Sequence, residues 1–90
     1  MKSQFKNAGQ YLKNIREKRK QSQAALGQAC GNIHAQFVSN WERGLCMPPK
    51  HCLSKLAKAL KLRNDEKKEL KEAILKDVTS MIEEEYEALF

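Results

Sequence analysis

The sequence has few helix-breaking residues and no long apolar run. Four Gly and two Pro are spread over 90 residues, and Lys, Glu, Leu and Ala dominate. That composition favours helices over strands. No apolar stretch approaches the ~18 residues of a membrane span, and the polar start MKSQFKNAGQ lacks the apolar core of a signal peptide. We therefore expect a small, soluble, cytoplasmic protein with no membrane segment.

The three cysteines lack the spacing of a structural metal site. Their number is odd, and reduced thiols are the default in a chain with no export signal. A zinc site would recruit Cys46, His51 and Cys52, a grouping without paired C-x-x-C spacing. Since the sequence also has no phosphate loop and no nucleophile–base constellation, we expect no metal, no cofactor and no enzymatic activity.

Charge is distributed unevenly along the chain. Residues 1–63 carry nine Lys, four Arg and two Glu, a net charge of +11. Residues 64–90 carry four Lys and nine Asp or Glu, a net charge of −5. A solvated surface is one explanation, but so basic a head on an acidic tail favours a polyanionic partner for the head.

Hydrophobic periodicity and helix-ending residues predict five helices and an all-α fold. Ser22 is a good N-cap for the second helix, and Gly31 can end it in the left-handed conformation. Asn64 is the expected cap of a long fifth helix. The predicted helices span about residues 8–20, from Ser22 to Gly31, about 34–43, from Pro48-Pro49 through Leu60, and from Asn64 to about Ala88.

The third predicted helix has two chemically distinct faces at 100° per residue. Its bulky apolar side contains Phe37, Val38 and Trp41. A division into apolar and polar sides is also typical of an ordinary amphipathic helix. The residue types on the polar side nevertheless suit DNA, because Gln and Asn can bond to the adenine edge in the major groove and Arg can bond to guanine or phosphate. The opposite, polar side contains Gln36, Ser39, Asn40 and Arg43, with Ala35 at its edge.

The motifs around this helix occur in a familiar order. Ser22-Gln23 opens the second helix, Gly31 lies in the turn, Glu42-Arg43-Gly44 closes the third helix, and a Leu-rich helix from Leu53 to Leu60 follows. Over residues 9–62 the chain resembles the Cro and lambda-repressor-like helix-turn-helix family, the xenobiotic-response-element type of transcriptional regulator. The resemblance implies a lambda-repressor-like five-helix domain.

The resemblance also implies roles for individual residues. Base edges would be read by Gln36 and Asn40, assisted by Ala35 or Ser39. Phosphates would be bound by Gln23, Arg43 and Lys50, and a structural ion pair would join Arg16 to Glu42.

Four positions depart from the family pattern. The turn after Gly31 is one residue longer than in the shortest members, so His34 is interpreted as a cap, a DNA contact or a solvated turn residue. Gly27 replaces the usual alanine, where a small residue suits close helix contact. Cys30 replaces a leucine in the core. Phe37 is expected to pack, with contact to a thymine methyl as the alternative.

The long fifth helix carries more apolar surface than one small domain can cover. Leu70 and Ile74 are expected to pack on the domain. Glu83, Glu84, Glu85 and Glu87 are disfavoured near a helix C-terminus, and they are either solvated or met by another subunit. A homodimer interface is predicted for Val78, Met81, Ile82, Tyr86 and Leu89.

These features together predict a sequence-specific, double-stranded DNA-binding transcriptional regulator, a repressor acting as a symmetric dimer. Residues 1–63 would form the helix-turn-helix domain, with a recognition helix at about 34–43, and residues 64–90 the dimerisation helix. The alternative is a protein-interaction module, such as an antitoxin or an adaptor of the transcription machinery, whose long helix binds a heterologous protein.

Overall fold

Five helices organise the chain in the computed structural model, which describes residues 4–89 and has no strand among them. The predicted all-α fold with a long C-terminal helix is confirmed. No helix within residues 4–89 has the length and hydropathy needed to span a bilayer. The helices are α1 (Lys6–Lys18), α2 (Gln23–Ala29), α3 (Ala35–Glu42), α4 (Lys50–Ala59) and α5 (Asn64–Leu89).

The ends of α2 and α3 are set by local hydrogen bonds. Ser22 caps α2, since its hydroxyl accepts from the Ala25 N–H at 3.0 Å. Gly31 follows α2 with φ +98°, which glycine adopts at little cost. His34 caps α3, because its Nδ1 accepts from the Gln36 N–H at 3.0 Å. Capping is therefore the role that the structure gives His34 among the three alternatives.

The core lies between the first four helices, and α5 adds to it from one side. Cys30 and Cys52 are at most 2% exposed, and burial raises the pKa of the Cys30 thiol. Cys30 thus packs as expected, whereas the expected packing of Phe37 is wrong, since 55% of that residue is exposed. The buried cluster comprises Leu12, Ile15, Leu26, Cys30, Val38, Trp41, Cys52, Leu56, Leu60 and Leu62.

Two glycines allow backbones to approach closely. A Cβ atom on Gly9 would lie 2.5 Å from the carbonyl oxygen of Trp41 and 2.7 Å from that of Glu42. A Cβ atom on Gly27 would collide with the Ile33 carbonyl. Gly9 therefore lets α1 cross directly over the end of α3, and Gly27 holds the turn before α3 against α2.

The first half of α5 is fastened to α1 by polar contacts. The Tyr11 hydroxyl donates to the Glu66 carbonyl at 3.2 Å and to the Glu69 carboxylate at 3.0 Å. Burial, followed by the bond to Glu69, raises the pKa of Tyr11 to about 12. Leu70, one residue after Glu69, packs against the core cluster. The expectation that α5 packs on the domain through Leu70 is confirmed.

Asp77 provides the second attachment of α5, at the start of α1. Its carboxylate accepts from the Asn7 N–H at 3.1 Å, the Asn7 Nδ2 at 2.8 Å and the Ala8 N–H at 2.8 Å. The first N–H groups of a helix lack partners within it, and Phe5 at the N-cap position gives no side-chain bond. Asp77 therefore caps α1 from a distant part of the chain.

Glu66, and not Asn64, provides the capping hydrogen bond at the start of α5. The helix begins at Asn64 itself, so the expected Asn64 cap is wrong by one position. The preceding Arg63 N–H donates to Glu66 Oε1 at 3.0 Å, as in one half of a capping box. Arg19, the residue after α1, donates to the same oxygen at 2.5 Å. The hydrogen bond from the Arg63 N–H is the largest cause, followed by that from Arg19, of a pKa of the buried Glu66 carboxyl below its usual value.

Replacing Asp77 tests the long-range cap. Asp77→Ala removes three hydrogen bonds at the start of α1, and we expect the free energy of unfolding to fall by about 2 kcal/mol. Urea unfolding followed by circular dichroism measures this loss. Glu72→Ala, at an exposed position of the same helix, is the matched control and should change stability by less than ~0.5 kcal/mol. Equal losses in both variants would contradict the cap.

The lowered pKa of Glu66 predicts a pH dependence of stability. An ordinary Glu titrates near ~4.3 in the unfolded chain, and the folded state binds the Glu66 proton more weakly. The stability that the Glu66 carboxylate contributes is therefore present above that pH, and it is lost as the pH falls through the lower pKa that Glu66 has in the folded state. We expect Glu66→Gln to be less stable at pH 7 and to lose less further stability on acidification than the unmodified chain. Parallel thermal melts from pH 7 to pH 3 make the comparison; identical slopes would refute it.

Candidate nucleic-acid interface

Packing decides which face of α3 points outward. Val38 is fully buried and Trp41 is 3% exposed, so these two side chains fix the inner face of the helix. The opposite face is open: Gln36 and Arg43 are exposed, and Ala35, Ser39 and Asn40 are half-buried. The polar residues predicted from the helical wheel therefore share one accessible surface.

Hydrogen bonds connect three side chains on this surface. Gln36 Nε2 donates to Asn40 Oδ1 at 3.1 Å, and an Arg43 guanidinium nitrogen donates to the same oxygen at 2.6 Å. Gln36 Oε1 and Asn40 Nδ2 take no part in these two bonds. An adenine edge in the major groove offers one donor and one acceptor, which complements that oxygen and that nitrogen.

A buried ion pair orients α3 against α1. Arg16 Nε donates to Glu42 Oε2 at 2.6 Å, and a second guanidinium nitrogen lies 3.2 Å from Oε1. The Glu42 side chain is 3% exposed, and Gln23 Nε2 also donates to it at 3.0 Å. The bond to Glu42 raises the pKa of Arg16. Glu42 thus joins α1, α2 and α3, and the structure brings the predicted pair together.

Beside this pair lies an open groove between the starts of α1 and α2 and the end of α3. Two of its lining residues, Gln23 and Arg43, were predicted as phosphate contacts. The side chains that line the groove carry a net positive charge, and the one acid among them, Glu42, is already paired with Arg16. Lys6, Gln10 and Lys13 were not among the predicted residues, although their spacing places all three on one face of α1. The groove is lined by Lys6, Gln10, Lys13, Gln23, Ser39, Glu42 and Arg43.

The fold and this arrangement agree with the comparison to known families. A family model described as a helix-turn-helix domain matches residues 8–70, which include most of α1, all of α2 to α4 and the start of α5. The chain belongs to the helix-turn-helix domain family. No curated protein and no solved structure is significantly similar to it. Membership in this family supports DNA binding, with α2 and α3 as the helix-turn-helix unit.

A second, largely apolar groove borders the other side of the helix-turn-helix unit. Phe37 stands 55% exposed at this groove, next to Gln36 on the outer face. Contact with a thymine methyl therefore stays a prediction for Phe37. Lys50, the first residue of α4, is exposed and follows Pro49 at the edge of this groove. The groove is lined by Asn32, Ile33, His34, Phe37, Trp41, Cys46, Met47 and Pro49.

The predicted dimer residues lie after Asp77, in the last part of α5. Met81 is half-buried. The others are exposed, from 36% for Val78 to 73% for Leu89. The structure thus leaves exposed apolar side chains on the last part of α5, at Val78, Ile82, Tyr86 and Leu89.

Removing one member of the buried ion pair should destabilise the whole unit. Arg16→Met leaves Glu42 buried with Gln23 as its remaining hydrogen-bond donor, and we expect a loss of about 3 kcal/mol. The control is Lys13→Met, which removes an exposed cation of the same helix and should change stability by less than ~0.5 kcal/mol. Chemical unfolding at pH 7 compares the two.

The double variant Arg16→Met with Glu42→Met keeps this test informative if the single variant does not fold. An apolar pair removes the uncompensated charge, so the double variant should be more stable than Arg16→Met alone. A double variant less stable than the single one would show that the pair itself is not what fixes α1 to α3.

Proposed function

We propose that the protein is a sequence-specific, double-stranded DNA-binding transcriptional regulator of the Cro and lambda-repressor type, acting as a repressor. The observation that carries this proposal is the outward polar face of α3 within a helix-turn-helix unit. Gln36 and Asn40 lie there beside one another, on a helix whose other side is locked into the core. An α-helix of this kind fits the major groove.

Base recognition is assigned to Gln36 and Asn40. Gln36 Oε1 can accept from adenine N6 while Asn40 Nδ2 donates to N7 of the same or a neighbouring purine. Ser39 and Ala35 lie on the same face and contribute one hydroxyl and one methyl contact. His34 acts through its cap, since its Nδ1 holds the Gln36 backbone N–H and so fixes the start of the reading helix.

Phosphate binding is assigned to the two sides of α3. On one side, Arg43 and Gln23 line the basic groove that Lys6 and Lys13 also border. On the other side, Lys50 is exposed at the start of α4, where the helix N-terminus also favours an anion. These residues would bind the two backbones that flank a major groove, and the net charge of +11 over residues 1–63 supports a polyanionic ligand.

A symmetric homodimer completes the proposal. Residues 1–63 form the DNA-binding domain and residues 64–90 the dimerisation helix, through Val78, Met81, Ile82, Tyr86 and Leu89. Two recognition helices would then enter successive major grooves about 34 Å apart. Repression is steric, because the bound dimer covers the site that another protein needs.

Variants in the two classes of DNA contact should behave differently. A preferred site is first selected from a random pool of DNA duplexes. Gln36→Ala with Asn40→Ala should weaken binding to that site about 100-fold and change binding to a scrambled duplex little. Arg43→Ala should weaken both complexes alike and lower the salt slope of log K by about 1. Fluorescence anisotropy at several KCl concentrations measures both effects.

Lys58→Ala is the control, since Lys58 is an exposed cation at the opposite end of α4 from Lys50. If it matches Arg43→Ala, the loss reflects total charge and not the assigned groove. A chain that selects no sequence and captures a stoichiometric heterologous protein would instead favour the protein-interaction module.

A further inference from the structure

An apolar stripe runs along α5 beyond its attachment to the core. Leu75, Val78, Ile82 and Leu89 are 52%, 36%, 46% and 73% exposed. Their spacings of three, four and seven residues place them within a narrow sector of the helix. Leu75 belongs both to this stripe and to a groove, so the two surfaces are continuous.

That groove lies between α4 and α5 and has an apolar floor with a basic rim. Lys67 and Lys71 on its α5 side are exposed. At 100° per residue, Lys71 falls in the same sector of α5 as the stripe and Lys67 falls at its edge. The groove is lined by Leu53, Ser54, Ala57, Leu62, Lys67, Leu70, Lys71, Ile74 and Leu75.

The far end of the stripe has the opposite charge. No Lys or Arg follows Lys76, whereas residues 83–87 include four Glu. Of these four, Glu85 lies at the edge of the sector of the stripe, and Glu84 lies on the opposite side of the helix. One face of α5 is thus apolar and basic in its first half, and apolar and acidic in its second half.

We infer that the groove between α4 and α5 receives the end of α5 from a second copy of this chain, with the two α5 helices antiparallel. The inference rests on the homodimer of the proposed function and specifies its arrangement. Each copy holds both complementary surfaces, so one two-fold contact fills both grooves. A chain cannot fill its own groove, because α5 is a single helix from Asn64 to Leu89.

The charges also select the register. With the two-fold axis at Val78, Lys71 lies opposite Glu85 of the second copy, and Ile82 lies opposite Ile74 on the floor of its groove. A parallel pair would set Lys71 against Lys71 and Glu85 against Glu85, and like charges in contact are unfavourable. The antiparallel pair turns the same residues into two attractive contacts.

Charge reversal in the full chain, without DNA, tests this arrangement. Lys71→Glu places two acids opposite each other twice per dimer, and Glu85→Lys does the same with two cations. Each variant alone should raise the dimer Kd about tenfold or more. An equimolar mixture restores both attractive contacts in the heterodimer, so its Kd should return to within about threefold of the unmodified chain. Sedimentation equilibrium at 50 mM NaCl measures all four samples.

Controls with the same charge changes lie on other faces of the helix. Glu84→Lys and Lys76→Glu are both at exposed positions outside the stripe sector, and each should leave the dimer Kd within about threefold of the original. Thermal melts establish that every variant is folded. The inference requires the two stripe variants to differ from these controls.

The contrary outcomes are separable. A chain that stays monomeric at 100 µM overturns this inference and the dimer, while DNA selection still decides the proposed DNA binding. A dimer unaffected by Lys71→Glu and Glu85→Lys, or a mixture that fails to recover, overturns the antiparallel arrangement alone. If the controls weaken the dimer equally, total charge and not the groove governs association, and the inference is equally wrong.

Discussion

The carboxylate of Glu42, buried at the last turn of α3, is the contact on which the DNA-binding surface depends. Arg16 from α1 and Gln23 from α2 both donate to it. A charge at 3% exposure tolerates little displacement, since losing a partner strands it in the interior. The pair therefore sets the angle of α3 relative to α1 and α2. The outward direction of Asn40, two residues before Glu42, follows from that angle.

Two other buried carboxylates act in the same way on α5. Glu66 joins the start of α5 to Arg19 near the end of α1, and Asp77 caps the opposite end of α1. The two helices are thus pinned at two points about 16 Å apart along α5, by its rise per residue. Among residues 4–63, Glu42 is buried at such a junction while most Lys and Arg side chains are exposed, which leaves the outer face of this part of the chain strongly basic.

Sequence reasoning found the parts of this arrangement that depend on local order. The period of α3 placed Gln36 and Asn40 on one face, and Ser22 marked a cap that needs only its own neighbours. Asp77 could not be found in this way, because its partners lie about 70 residues earlier and a Lys/Glu-rich helix offers many similar acids. The predicted packing of Phe37 was wrong for a related reason, because the helical wheel gives the direction of its side chain on α3 but does not show where the neighbouring core ends.

The anchoring of α5 also bears on how two DNA-binding domains would be spaced. From Asn64 to Leu89 the chain forms one helix with no Gly or Pro, so its end does not swing on a flexible linker. Because Glu66 and Asp77 fix this helix to α1, and Glu42 fixes α1 to α3, the stripe and the reading face belong to one rigid body. A pair formed through the stripe would therefore set the separation of the two reading helices by helix geometry, and half-site spacing would become a property of the dimer contact itself.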